Sequence, residues 1–138
     1  MNQLEINKAI VIQFNKEFLE EGNAAVLDEL VHPEFINHTA APGVAKGKEG
    51  LIHFVNGIMR IAFPDLTVEI YEQVAENDLV TTRKAFHATH LGSFMGIEPT
   101  GKKIILNVMD IIRIKDGKYF EHWGIRDTQD LLRQLKRE

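Results

Sequence analysis

At 138 residues the chain holds enough material for one domain with a real core and too little for two. Its composition, 44% apolar and 26% charged, excludes disordered, collagen-like and coiled-coil chains. Sixteen basic against twenty acidic side chains leave a net charge of −4, so there is no electrostatic footprint for nucleic acid, and the lack of cysteine excludes disulfides, thiolate nucleophiles and cysteine-based metal sites. The first ten residues carry Glu5 and Lys8 and no apolar run. The longest aliphatic stretch, Ala9 to Ile12, falls far short of the ~20 residues a membrane span needs. The expectation is a single domain over residues 1–138, soluble and cytoplasmic, with neither a membrane nor a nucleic-acid partner.

From Gln3 to Glu21, Ile6, Ile10, Phe14 and Phe18 recur at helical spacing with Leu4 and Val11 beside them, which predicts an amphipathic helix ended by Gly22. Asn23 can cap a short second helix as far as Val31, and His32-Pro33 stops it. Phe35 to His38 reads as a short extended piece before a loop marked by Pro42, Gly43 and Gly47. Leu51, Phe54, Ile58 and Ile61 predict a third helix from Lys48 to Phe63, ended by Pro64. Beyond it the period changes to two. Leu66, Val68 and Ile70 alternate with polar residues, and Leu79–His90 and Lys102–Ile114 are rich in β-branched residues. Lys118–Arg126 follows across the turn signal Lys115-Asp116-Gly117, and a last helix spans Thr128–Lys136. Helices followed by consecutive strands predict an α+β fold: a curved antiparallel sheet packed against N-terminal helices and enclosing a pocket.

Two apparent motifs carry no chemistry. Gly96 to Lys102 fits the spacing of a phosphate-binding loop, but Lys103 stands where a hydroxyl must hold magnesium and a strand follows in place of a helix. Ser93, the only serine, is out of register with a nucleophile elbow. No two of the six histidines have chelating spacing, since His87 and His90 point to opposite faces of a strand, so no metal and no cofactor is expected. Asp110 is more informative, because it interrupts the aliphatic run Val108 to Ile112. A carboxylate there is either tied to a cation or placed in a pocket with a raised pKa. A three-residue turn over Lys115-Asp116-Gly117 sets Asp110 opposite His122; a two-residue turn sets it opposite Trp123. The Gly117 bulge position favours the first, giving a carboxylate–imidazole pair able to move protons.

Together Phe35-Ile36-Asn37-His38, Gly47-Lys48-Glu49-Gly50, Phe63-Pro64-Asp65-Leu66, the stretch Thr89 to Lys102, Arg113 to Lys118, Glu121-His122-Trp123 and Asp127 resemble a SnoaL-like polyketide cyclase of the nuclear-transport-factor-2-like cone fold. The resemblance covers nearly the whole chain. It implies a cofactor-free pocket enzyme that closes a ring by intramolecular aldol condensation, on a small hydrophobic carbonyl-containing ligand. Family members often carry Asp after Glu-His-Trp as the acid–base group, where this chain has Gly124. The strand around Asp110 and Arg113 also resembles ketosteroid isomerases, although Phe14 and Phe18 stand where those enzymes need a helix tyrosine. The expected catalytic set is Asp110 as oxyanion donor or proton relay, with His122 or His38 as base. Phe14, Phe18, Phe54, Arg83 and Trp123 are expected to touch the substrate, and Arg126 is a further candidate for an anion. A homodimer through the outer sheet face is expected, and a non-catalytic binding or dimerisation module of the same fold is the rival reading.

Overall fold

The computed structural model describes residues 1–137. The N-terminal helix α1 (Gln3–Phe14) starts at an Asn2 cap whose side chain accepts the Glu5 amide, and it runs on as a π-helical segment, Asn15–Glu20. A short helix α2 (Leu27–Leu30) leads directly into strand β1 (Val31–Asn37). Helix α3 (Lys48–Phe54) continues through a second π-helical segment, Val55–Met59, into α4 (Arg60–Ala62). Strands β2 (Thr67–Glu76), β3 (Leu79–Thr89), β4 (Lys103–Lys115) and β5 (Lys118–Arg126) then form an antiparallel meander, and α5 (Thr128–Lys136) closes the fold.

The five strands make one open sheet in the order β1-β5-β4-β3-β2. β1 pairs with β5 in parallel, so the sheet is mixed and not wholly antiparallel as the sequence suggested. Pro33 is tolerated in β1 because β1 is an edge strand. The helices cover one face of the sheet. One apolar cluster joins Val11, Phe14, Phe18, Leu27 and Leu30 to Val80, Ile112 and Tyr119; a second joins Met59, Phe63 and Leu66 to Phe86, Leu106 and Leu131.

The face that α1 buries is rotated from the expected stripe. Asn7, Val11, Phe14 and Asn15 point inward, while Leu4 and Ile6 are exposed. Apolar spacing misses this face because two of its members are asparagines with partners of their own: Asn7 accepts from Gln3 Nε2 at 2.8 Å, and Asn15 Nδ2 donates to Val11 O at 2.8 Å.

The hairpin between β4 and β5 sets the site. Asp116 and Gly117 both take positive φ (54° and 73°), which is a two-residue type I′ turn. The extra residue lies beyond the turn, where the pairing jumps from Ile114↔Tyr119 to Arg113↔Glu121 and leaves Phe120 as a bulge. Asp110 therefore stands opposite Gly124, and Ile112 opposite His122. Both expected pairings of Asp110, with His122 and with Trp123, are wrong. Yet the true register differs from the favoured one by two residues, and a shift of two preserves which side chains share a face. Asp110 and His122 still point the same way.

Candidate functional site

Between the concave face of the sheet and the helices lies an apolar cavity of about 380 Å³. Phe14, Phe54, Met59, Phe86, Leu106 and Val108 supply its apolar wall. Its polar groups come from alternate residues of the central strands. On β3 the inward positions Val80, Thr82, Phe86 and Ala88 are buried, and the same alternation brings Lys84 inside. On β4 it brings Val108 and Asp110, and on β5 the Phe120 bulge lets Tyr119 and His122 face inward together.

Lys84 is 3% exposed and Asp110 7%. Lys84 Nζ donates to Asp110 Oδ2 at 3.0 Å and to Asn15 Oδ1 at 2.7 Å. His122 Nε2 lies 3.8 Å from the same Asp110 oxygen. Burial alone pushes the Asp110 carboxyl up, but the Lys84 ammonium beside it, joined by His122 in its protonated form, holds the pKa below the ordinary aspartate value. Asp110 is thus ionised and accepts hydrogen bonds, so the expected role of oxyanion donor does not fit it. Its second oxygen, Oδ1, is buried against the cavity with no partner among the described residues.

His122 is held from behind. Its Nδ1 lies 2.8 Å from Asn37 Oδ1, an atom that already accepts the Thr39 amide at 3.1 Å. An oxygen accepting a backbone N–H leaves only one role for Nδ1, that of donor. The neutral imidazole then carries its lone pair on Nε2, toward Asp110 and the cavity. Gly124 makes room for this ring. A Cβ there would lie 2.8 Å from His122 Cε1, 2.9 Å from Nε2 and 3.5 Å from Asp110 Cβ. Tyr119, stacked on Phe14 at 4.1 Å between ring centres, also faces the cavity. Burial, helped by the nearby Asp110 charge, pushes its phenol well above its ordinary value, so it stays a donor.

Of the residues expected from sequence, Asp110, His122, Phe14, Phe54 and Arg126 line this cavity. His38, Phe18, Arg83 and Trp123 do not. His38 Nε2 donates to Glu121 Oε2 at 2.7 Å, and the ring stacks on Trp123 at 4.8 Å, both on the far side of β5. Odd-numbered neighbours of His122 must face outward, which removes Trp123 as well. Phe18 is fully buried, edge-on to Phe14, and belongs to the core. Arg83, next to Lys84, points outward and pairs with Glu72. Sequence reasoning missed Lys84, Tyr119, Asn37 and Asn15. A signal for Lys84 was present, since it shares the parity of Val80 and Phe86. Among the described residues no three of His, Asp and Glu come together as metal ligands.

A helix-backed open sheet around an apolar cavity with a few converging polar groups is the architecture of a small-molecule pocket protein. Residues 9–135 match the family model for SnoaL-like polyketide cyclases, and the chain belongs to that family. A nogalonic acid methyl ester cyclase from Streptomyces nogalater is 25% identical over 115 residues, 83% of this chain and 86% of that one. Among solved structures, IdmH from Streptomyces antibioticus is 31% identical, with 94% of this chain and 97% of that one covered and a TM-score of 0.83. TsrD from Streptomyces laurentii is 26% identical, with 100% and 99% covered and a TM-score of 0.85.

Proposed function

We propose that the chain is a cofactor-free cyclase that closes a ring by intramolecular aldol condensation, with His122 as the base. The observation that carries this reading is the fixed His122 tautomer, which offers the Nε2 lone pair to an apolar cavity beside an ionised carboxylate. In the working mechanism His122 Nε2 removes a proton alpha to a carbonyl of the substrate, and Asp110 stabilises the imidazolium that forms. The enolate oxygen accepts a hydrogen bond from Tyr119 or from Lys84. The enolate carbon attacks a second carbonyl of the same molecule. His122 returns its proton to the new alkoxide, so no atom is gained or lost. Asn37 and Asn15 orient His122 and Lys84. Gly124 is a departure that shifts the proton-transfer burden from a carboxylate at that position to the imidazole that occupies its space.

The family relative makes nogalonic acid, tested both as its methyl ester and as the free acid, a rational first substrate. Ring closure followed by chromatography should fall at least about 100-fold for His122→Ala, with the fold retained by circular dichroism. Full activity in that variant would overturn the assignment of the base. The exposed outer-face residues Ile105, Met109, Ile111 and Ile125 also fit our reading of a homodimer, which sedimentation would test.

A further inference from the structure

The arginines within the helices and strands of this chain differ in one respect that the mechanism above does not use. Arg60 donates to backbone carbonyls, Arg83 pairs with Glu72, Arg113 with Asp78 and Glu121, and Arg133 with Asp130. Arg126 has neither an ion pair nor a hydrogen-bond acceptor for its guanidinium among the described residues. The inward parity of His122 and Gly124 carries it to the cavity, where it is exposed at the rim with its guanidinium 4.2 Å from the centre of the Phe54 ring. Carboxylates raise the pKa values of Arg83 and Arg113, whereas the protein crowding Arg126 lowers its value and no anion offsets that cost.

One inward position away lies Asp110, opposite Gly124, whose Oδ1 has no hydrogen-bond partner among the described residues. Asp110 pairs with Gly124 and Val108 with Arg126, so the two groups are separated by two residues of strand, about 7 Å of rise, with Val108 beside Arg126. The cavity therefore makes two opposite demands about 7 Å of strand apart, a hydrogen-bond donor at Asp110 and an anion at Arg126 on the rim.

Resting on the pocket reading above, we propose that Arg126 is a specificity-determining residue that binds the carboxylate of a flat, apolar acid whose enolic or phenolic hydroxyl reaches Asp110. Phe54 fixes the plane of the guanidinium, and that plane can present two parallel N–H groups to a planar carboxylate. The substrate class this defines is a free polyketide-type acid, in preference to its neutral ester.

Two fluorescent probes that differ only in this charge test it: 6-hydroxy-2-naphthoic acid and its methyl ester. Titrated against the intact chain at low salt and pH 7, the acid should bind at least about tenfold more tightly than the ester. That advantage should shrink as salt is raised. Arg126→Gln should bring the acid to within about twofold of the ester and leave ester affinity unchanged, which also shows that the variant is folded. Equal binding of both probes by the unaltered chain, or equal weakening of both by Arg126→Gln, would overturn the role of Arg126 while leaving the pocket reading intact. If neither probe binds, both readings fall.

Discussion

Two adjacent residues of β3 make the same kind of bond in opposite worlds. Lys84 turns inward and meets Asp110 with both side chains almost fully buried; Arg83 turns outward and meets Glu72 with each about half exposed. The outer pair lies in water and costs little to form or break. The inner pair has given up its hydration, so each charge is tolerated only because the other is there. What puts one ion pair in the cavity and the other in water is the pleat of a strand, a matter of one residue.

Breaking the inner pair should have the largest effect. Lys84→Met strands the Asp110 carboxylate and should cost ~3–5 kcal/mol in urea denaturation. If the argument from desolvation is right, adding Asp110→Leu to that variant should recover most of the loss, because an apolar pair of similar volume needs no hydration. A double variant as unstable as the single one would show that the pair is a net stabiliser and not merely a matched burial.

The next effect is on chemistry. Gly124→Ala places a methyl group within 3 Å of the His122 ring. The ring is the movable partner, so the fold should survive while ring closure drops ~100-fold through the displaced base. An alanine variant with unchanged turnover would mean that Nε2 need not sit where the structure holds it.

A smaller effect comes from pH. The folded Asp110 pKa lies below its unfolded value of ~3.9, so its contribution is complete above that value and disappears as the pH falls through the lower folded one. Asp110→Asn lacks this contribution at every pH. Melting temperatures of the two proteins should therefore differ most near pH 7 and converge toward pH 3. A constant gap would argue against an ionised Asp110. At the bottom of the scale stands Arg83→Gln, for which no measurable change in melting temperature is expected; a clear drop would erase the contrast between the two faces.

The sequence exposed much of this architecture. Strands β3, β4 and β5 and the last helix follow nearly to the residue from their periods and the Gly117 turn signal, whereas β1 begins at Val31, four residues before the extended piece expected from Phe35. The register of β5 was not legible, because a bulge at Phe120 has no sequence mark comparable to a glycine in a turn. The facing of Asp110 and His122 nevertheless survived, since the pairing error was an even one. Arg83 was chosen over Lys84 because charge type is visible in a sequence and parity must be counted. Asn15 and Asn37 could not be found by spacing: each is valuable for one hydrogen bond made to a distant strand or ring. His38 and Trp123 were drawn toward the site by their proximity to His122 along the chain and in motif, when the pleat sends them to the other side.

The bulge also has a consequence at the level of the gene. Removing Phe120 would leave a plain hairpin with every pair the present one has, Ile114 with Tyr119 and Arg113 with Glu121. Its ring packs edge-on to His32 and beneath Lys115, away from the cavity. A single in-frame codon deletion here is thus nearly invisible to the site, whereas the same deletion three codons later, between His122 and Arg126, would turn the rim inside out. Lineages descended from this chain can be expected to vary in hairpin length at Phe120 and hold it constant beyond.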